Sequence, residues 1–174
     1  MVRDIEYRKE MMEAIVSFRL PRYHEIPGVG LYLEQTAKYI NEYLAPLGYP
    51  ALTGSMISNY VKKGLVSSPV KKQYCREQIA KLMFISVAKS VIRIEDLGVL
   101  LSLYEGRYET QVAYDYFCME LENVLQLVFG LKDQLAQVGE SNSELKMMLR
   151  TGIIAVAHKV YLDQCFDVLR KERG

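Results

Sequence analysis

Imidazoles and paired thiols are scarce in this chain of 174 residues, and their scarcity narrows the chemistry open to it. His24 and His158 are its only histidines, and Cys75, Cys118 and Cys165 are odd in number, far apart and without C-x-x-C spacing. A metal site of nitrogen and sulfur ligands would have to be gathered from distant segments, so no metal is expected and the thiols read as reduced and cytosolic. His158 and Cys165 share a helix face but lie about 10 Å apart along its axis, too far to bind one ion. Long apolar runs are missing as well. Even Leu121 to Leu131 is interrupted by Glu122, Asn123 and Gln126, which excludes a membrane-spanning helix there. The opening stretch carries Arg3, Asp4, Glu6, Arg8, Lys9, Glu10 and Glu13, unlike a signal peptide, so a cytoplasmic location is expected. Catalytic signatures are also lacking: there is no G-x-S-x-G elbow, P-loop, H-E-x-x-H or dinucleotide fingerprint. Gly28-Val29-Gly30 has neither the third glycine nor a preceding strand, and reads as a loop. No enzymatic role and no cofactor are expected.

What is present is the mixture of a folded domain, 50% apolar and 25% charged residues. The net charge of +1 is uninformative, but its distribution is not. From Thr53 to Arg93 there are eight basic residues (Lys62, Lys63, Lys71, Lys72, Arg76, Lys81, Lys89 and Arg93) against Glu77, a net +7. From Ile94 to Gly174 eight basic residues face thirteen acidic ones, a net −5. A basic middle followed by an acidic tail suits a polyanion held by the middle. Lysines that merely solvate exposed faces would give the same count.

Apolar spacing predicts a mainly α-helical chain. Ile5, Met12, Ile15 and Val16 suggest an amphipathic helix over Met1 to Phe18, ended by a loop at Pro21 and Pro27-Gly28. Leu33, Ala37, Ile40 and Leu44 mark a second helix, with Tyr32, Tyr39 and Tyr43 as a neighbouring stripe. Thr53 is a good N-cap for a short helix that stops at Gly64, with Met56, Ile57, Tyr60 and Val61 inward and Ser55, Ser58, Asn59, Lys62 and Lys63 outward. Leu65 to Tyr74, with Pro69, two β-branched valines and Lys71-Lys72, suits a hairpin with a basic tip. Helices follow from near Cys75 to Val91 and over Ile94 to Leu101.

Helix, short helix, basic hairpin, helix, helix is the element order of a winged helix-turn-helix. In that arrangement the small polar groups of Ser55, Ser58 and Asn59 reach base edges in the major groove of double-stranded DNA. Lys62, Lys63, Lys71, Lys72 and Arg76, with the hydroxyls of Tyr60 and Tyr74, contact the phosphate backbone. Tyr60-Val61-Lys62-Lys63-Gly64-Leu65 resembles the end of the MerR recognition helix. Tyr74 with Arg76 to Ile85 is similar to the segment after the MerR wing, and Ile94-Glu95-Asp96-Leu97 to the acidic helix start that follows. Ser17 to about Glu105, opening on Phe18-Arg19-Leu20-Pro21-Arg22-Tyr23, also resembles a bacterial family known as domain of unknown function 1836. The MerR resemblance implies a winged helix-turn-helix and DNA binding. Three positions depart from its pattern: Ser58 and Lys72 stand where arginines are usual, and Cys75 where a stronger helix cap is expected.

The expected organisation is a DNA-binding part over residues 1–105 and a helical part over 106–174 that pairs two chains and can hold an effector of unknown identity. Tyr114, Phe117, Leu121, Val124, Val128, Leu131, Leu135 and Val138 alternate steps of three and four, a heptad seam. Phe117 to Leu135 on this seam are the expected homodimer contacts, and pairing within one chain is the alternative. The partner for that alternative is a long helix to about Lys171, entered through a loop at Gly139 to Ser143 with Ser141 and Glu144 as a capping box. Its apolar residues occupy two faces: Leu149, Ile153, Val156 and Val160 on one, Leu162, Phe166 and Leu169 on another. The tyrosines could line an effector pocket or simply fill the core. Cys118 reads as buried filler rather than as a redox sensor. The expected function is a DNA-binding transcriptional regulator, with a helical protein-interaction adaptor or an unrecognised enzyme as alternatives.

Overall fold

The computed structural model describes residues 2–138 and 143–173. It is mainly helical, with one small antiparallel sheet. In chain order come α1 (Val2–Val16), β1 (Leu31–Tyr32), α2 (Leu33–Leu44), α3 (Gly54–Lys62), β2 (Gln73–Tyr74), α4 (Arg76–Ala88), α5 (Ile94–Tyr104), α6 (Thr110–Val128) and α7 (Glu144–Arg173). Short 3-10 turns at Tyr23–Glu25 and Ala45–Leu47 punctuate the loops.

The core is one continuous cluster, from Met11 and Ile15 on α1, through Ile40, Ile57, Ile79, Leu82 and Leu97, to Leu121, Ile153 and Val160. The largely apolar inner face of α4 lies at its centre, with Ile79, Leu82, Met83 and Ile85 at zero exposure. That pattern follows from burial on more than one side, against α2, α6 and α7.

Two-residue β1 is a feature that apolar spacing did not predict. Leu31 pairs with Tyr74 and Tyr32 with Gln73, so the arm leaving the hairpin is held by a strand some forty residues earlier. Gly30 permits the approach, because a Cβ there would lie 2.7 Å from Cβ of Gln73. Tyr32 accordingly stands before α2, exposed, while Tyr39 and Tyr43 pack with ring centroids 5.2 Å apart.

The expected heptad seam is corrected by the structure. α6 ends at Val128; Phe129 follows, and Gly130 takes a left-handed φ of 73°. The amide N–H of Leu131 then bonds the Gln126 carbonyl at 2.8 Å, a Schellman-type stop that turns the chain out of the helix. Leu131 and Leu135 pack against the core from irregular backbone. Asn123 fixes that backbone, its Nδ2 donating to the Ala136 carbonyl (2.9 Å) and its Oδ1 accepting from the Ala136 N–H (3.2 Å). Phe117, Leu121 and Val124 are at most 2% exposed, covered by the same chain. α6 makes its most extensive contact with α7 and also packs on α4 and α1. The pairing within one chain therefore accounts for these three residues, and Val128 is partly buried against the same core.

Between α6 and α7, Glu120 is 1% exposed and its Oε1 meets Arg150 Nε at 2.9 Å. Ser141 and the proposed loop from Gly139 lie outside the described residues. Within them, Ser143 Oγ accepts from the Lys146 N–H at 3.2 Å and so caps α7. On α7, Leu149, Ile153, Val156 and Val160 are buried, whereas Leu162, Phe166 and Leu169 are about half exposed. No helix among the described residues is long and apolar enough to cross a membrane.

Candidate nucleic-acid interface

The short helix α3 is built so that one side is fixed and the other is open. Thr53 Oγ1 accepts from the Met56 N–H at 3.2 Å, the N-cap that the sequence predicts. Asn41 of α2 holds the residue before it, with Nδ2 donating to the Leu52 carbonyl (2.9 Å) and Oδ1 accepting from the Leu52 N–H (2.8 Å). Gly54 lets the helix start press against α2, since a Cβ there would come within 2.5 Å of Glu34 Oε1. At the other end Gly64 adopts φ 78°, and the Leu65 N–H bonds the Tyr60 carbonyl at 3.0 Å. Ile57 and Tyr60 face the core; Ser55, Ser58, Asn59, Lys62 and Lys63 are exposed.

The following hairpin is tied down at its base. Leu65 and Val66 are buried. Gln78 of α4, only 5% exposed, donates through Nε2 to the Ser67 carbonyl (2.9 Å) and the Ser68 carbonyl (3.1 Å). Its Oε1 accepts from the Cys75 N–H at 2.8 Å, so a glutamine three residues into α4 compensates for the weak cap at Cys75. The turn closes by two reciprocal backbone bonds between Val70 and Gln73, 3.1 and 2.9 Å. Lys71 and Lys72 at the tip have φ of 50° and 64°, both left-handed, the pattern of a two-residue I′ turn built without glycine or asparagine. Both lysines are exposed.

The ten residues expected to meet DNA divide into three groups. Ser55, Ser58, Asn59, Lys62, Lys71 and Lys72 are exposed, and none of these three lysines makes an ion pair among the described residues. Lys63 is exposed but leans to Glu95 of α5, with Nζ 3.8 Å from Oε1, a surface contact worth about 0–1 kcal/mol. Tyr60, Tyr74 and Arg76 face inward. Tyr60 is 4% exposed and its hydroxyl bonds Lys89 Nζ at 3.2 Å. Tyr74 is also 4% exposed, and burial pushes its phenol above the ordinary tyrosine range. Arg76 donates from Nε to the Ile26 carbonyl at 2.8 Å and lies over the Tyr23 ring. These three residues support the surface from behind. Of the other cations in the basic stretch, Lys81 is paired with Glu77 (3.3 Å) and Glu105 (3.2 Å), and Arg93 with Asp96 (2.9 Å). Lys89, partly buried against the Tyr60 hydroxyl, has no carboxylate partner, and the exposed positive charge without one lies on α3 and the hairpin tip.

Sequence reasoning missed the two residues that position this surface, Asn41 and Gln78. Gln78 carries a signal in retrospect, a polar residue beside Ile79 and Leu82 where an exposed side chain would leave a gap. No three His, Cys, Asp or Glu residues converge in a way that could hold a metal ion among the described residues.

Residues 21–117 match the family described as Domain of unknown function (DUF1836). The match covers more than half of the chain, and the chain belongs to that family. It takes in α2, α3, the hairpin, α4, α5 and the first part of α6. No curated protein and no solved structure matches the chain.

Proposed function

We propose that this protein is a sequence-specific DNA-binding transcriptional regulator whose α2, α3, hairpin, α4 and α5 form a winged helix-turn-helix of MerR type. In this reading α3 enters the major groove, where Ser55, Ser58 and Asn59 read base edges. Lys62, Lys63 and the Lys71-Lys72 tip lie on the phosphates and supply the affinity that carries no sequence information. The observation that carries the reading is the combination of an open polar face on α3 with exposed lysines at its end and on the adjoining hairpin tip, of which Lys62, Lys71 and Lys72 make no ion pair among the described residues.

A regulator of this kind binds as a symmetric pair, reading two half-sites about one DNA turn apart. Since Phe117, Leu121 and Val124 are covered within the chain, pairing draws on other groups. Leu162, Phe166 and Leu169 form one half-exposed stripe on α7 at helical spacing.

Fluorescence anisotropy with random duplex DNA across a salt series tests the reading. Salt-sensitive binding is expected, and sequencing of retained duplexes should recover an inverted repeat. Replacing Lys62, Lys63, Lys71 and Lys72 together by alanine should weaken binding to every sequence and flatten the salt dependence by up to about 4 in log–log slope, at roughly 0.9 per lost phosphate contact. No binding at low salt, or binding indifferent to salt and to these four lysines, would refute it in favour of a protein-interaction adaptor.

A further inference from the structure

Behind the cationic face, a cavity of about 270 Å³ lies among α4, α5, α6 and the start of α7. Phe84, Tyr104, Tyr108, Tyr114 and Phe117 supply aromatic wall. Phe84 and Phe117 meet edge to face at 5.1 Å, and Tyr104 and Tyr108 lie 5.3 Å apart. Hydrogen bonds hold two of the rings: Tyr104 Oη donates to the Leu145 carbonyl (3.1 Å), and Tyr108 Oη pairs with Ser143 Oγ (3.2 Å). The volume equals roughly nine waters at about 30 Å³ each, enough for a single-ring ligand.

Charge decides what kind of ligand. Lys81 Nζ sits between Glu77 and Glu105 within the same lining, and Thr110 Oγ1 donates to Glu77 at 3.3 Å. Two carboxylates outnumber one ammonium, leaving a net negative charge beside aromatic faces whose quadrupoles also favour cations. An anion would meet Lys81 already neutralised. We propose that this cavity binds an organic monocation, an ammonium ion carrying one aromatic ring, with the ring among the aromatic side chains and the charge at Glu77 and Glu105.

The site adjoins the hairpin through α4. Glu77 lines the cavity, and its neighbour Gln78 holds the carbonyls of Ser67 and Ser68. An occupant at Glu77 therefore acts on the helical turn that anchors the lysine-tipped hairpin, and loading the cavity changes DNA affinity. That consequence rests on the DNA-binding reading; the binding of the cation does not.

Calorimetric titration of the full chain, without DNA, separates the two. Benzyltrimethylammonium should bind with one-to-one stoichiometry and a Kd below about 1 mM, at least about tenfold tighter than 3-phenylpropanoate. Glu105→Gln, at a solvent-facing position, should weaken it severalfold, and the double variant with Glu77→Gln by about tenfold or more. Ala113→Phe, which fills the cavity from α6, should abolish it. Absence of saturable binding at several millimolar, equal binding of cation and anion, or an affinity indifferent to both glutamates would overturn the proposal. Cation binding without any DNA binding would leave this site standing and remove only the regulator reading.

Discussion

Along α3 a polar side chain faces solvent and can be exchanged without disturbing what lies behind it, whereas along α6 two polar side chains are enclosed. Ser55, Ser58, Asn59 and Lys62 are exposed, and the work of holding the helix falls to Thr53, Asn41 and Ile57. Glu120 and Asn123, by contrast, are at most 6% exposed, Glu120 ion-paired with Arg150 of α7 and Asn123 hydrogen-bonded to Ala136. Exposed side chains and structural support are therefore separable in the first region and inseparable in the second. Substitutions in the two should change different observables.

The largest effect should come from breaking α6. Leu121→Ala removes a fully buried side chain from the contact with α7, and a loss of about 2–5 kcal/mol is expected in urea denaturation. The DNA affinity of the fraction that remains folded should be unchanged. A loss below about 1 kcal/mol would mean that the α6–α7 contact is far looser than its burial indicates.

Alkaline pH probes the same region through its tyrosines. Burial pushes the phenols of Tyr104 and Tyr116 up to about 12, and those of Tyr39 and Tyr114 further in the same direction. A pKa raised on folding means that the native state holds its proton more tightly than the unfolded chain. The associated stability is complete below pH ~10, the ordinary tyrosine value, and is lost as pH rises toward about 12. Unfolding by circular dichroism should then coincide with tyrosinate absorbance in that window. Ionisation of these four phenols well before the fold is lost would contradict it.

The smallest effect sharpens the contrast by moving stability and binding in opposite directions. Lys71→Asn with Lys72→Gly puts the residues favoured in an I′ turn at the two left-handed positions. Stability should rise by about 1 kcal/mol, because glycine has no Cβ to crowd the following carbonyl in the left-handed conformation and asparagine tolerates it. DNA binding should weaken and its salt slope fall by up to about 2. A turn that gained nothing in thermal denaturation would show that the surrounding bonds fully offset the backbone preference.

Much of the lysine-bearing region was legible in the sequence because local chemistry determines it. Thr53 caps, Gly64 stops, and the Lys71-Lys72 hairpin lies between them and α4 as the residue order implies. Two parts were not legible, for different reasons. Strand β1 is only Leu31 and Tyr32, too short for alternation to register, and its existence depends on a partner some forty residues away. The heptad count ran past Val128 because Leu131 and Leu135 are apolar for packing from irregular backbone, which spacing alone cannot distinguish from helix. Gly130 was the available signal. The inward turn of Tyr74 and Arg76 was equally hidden, since both residue types serve phosphates or cores and only the position of Ile26 and Tyr23 decides.

The segment just after α1 is strapped to a helix a hundred residues later. Arg22 forms a fork with Glu122 (2.8 and 2.7 Å), Glu122 also accepts from the Leu20 N–H (2.9 Å), and Asp115 accepts from the Tyr23 N–H (2.7 Å). During synthesis, then, the segment from Leu20 to Tyr23 leaves the ribosome long before its partners on α6 exist. The Leu20 N–H, enclosed in the finished fold by its bond to Glu122, must wait for that partner until α6 has been made. Such distant closure slows folding relative to local helix formation. The nascent chain therefore passes through a stage in which α2 to α5 can already form while the segment after α1 still lacks its α6 partners, and that stage is where a chaperone would find it.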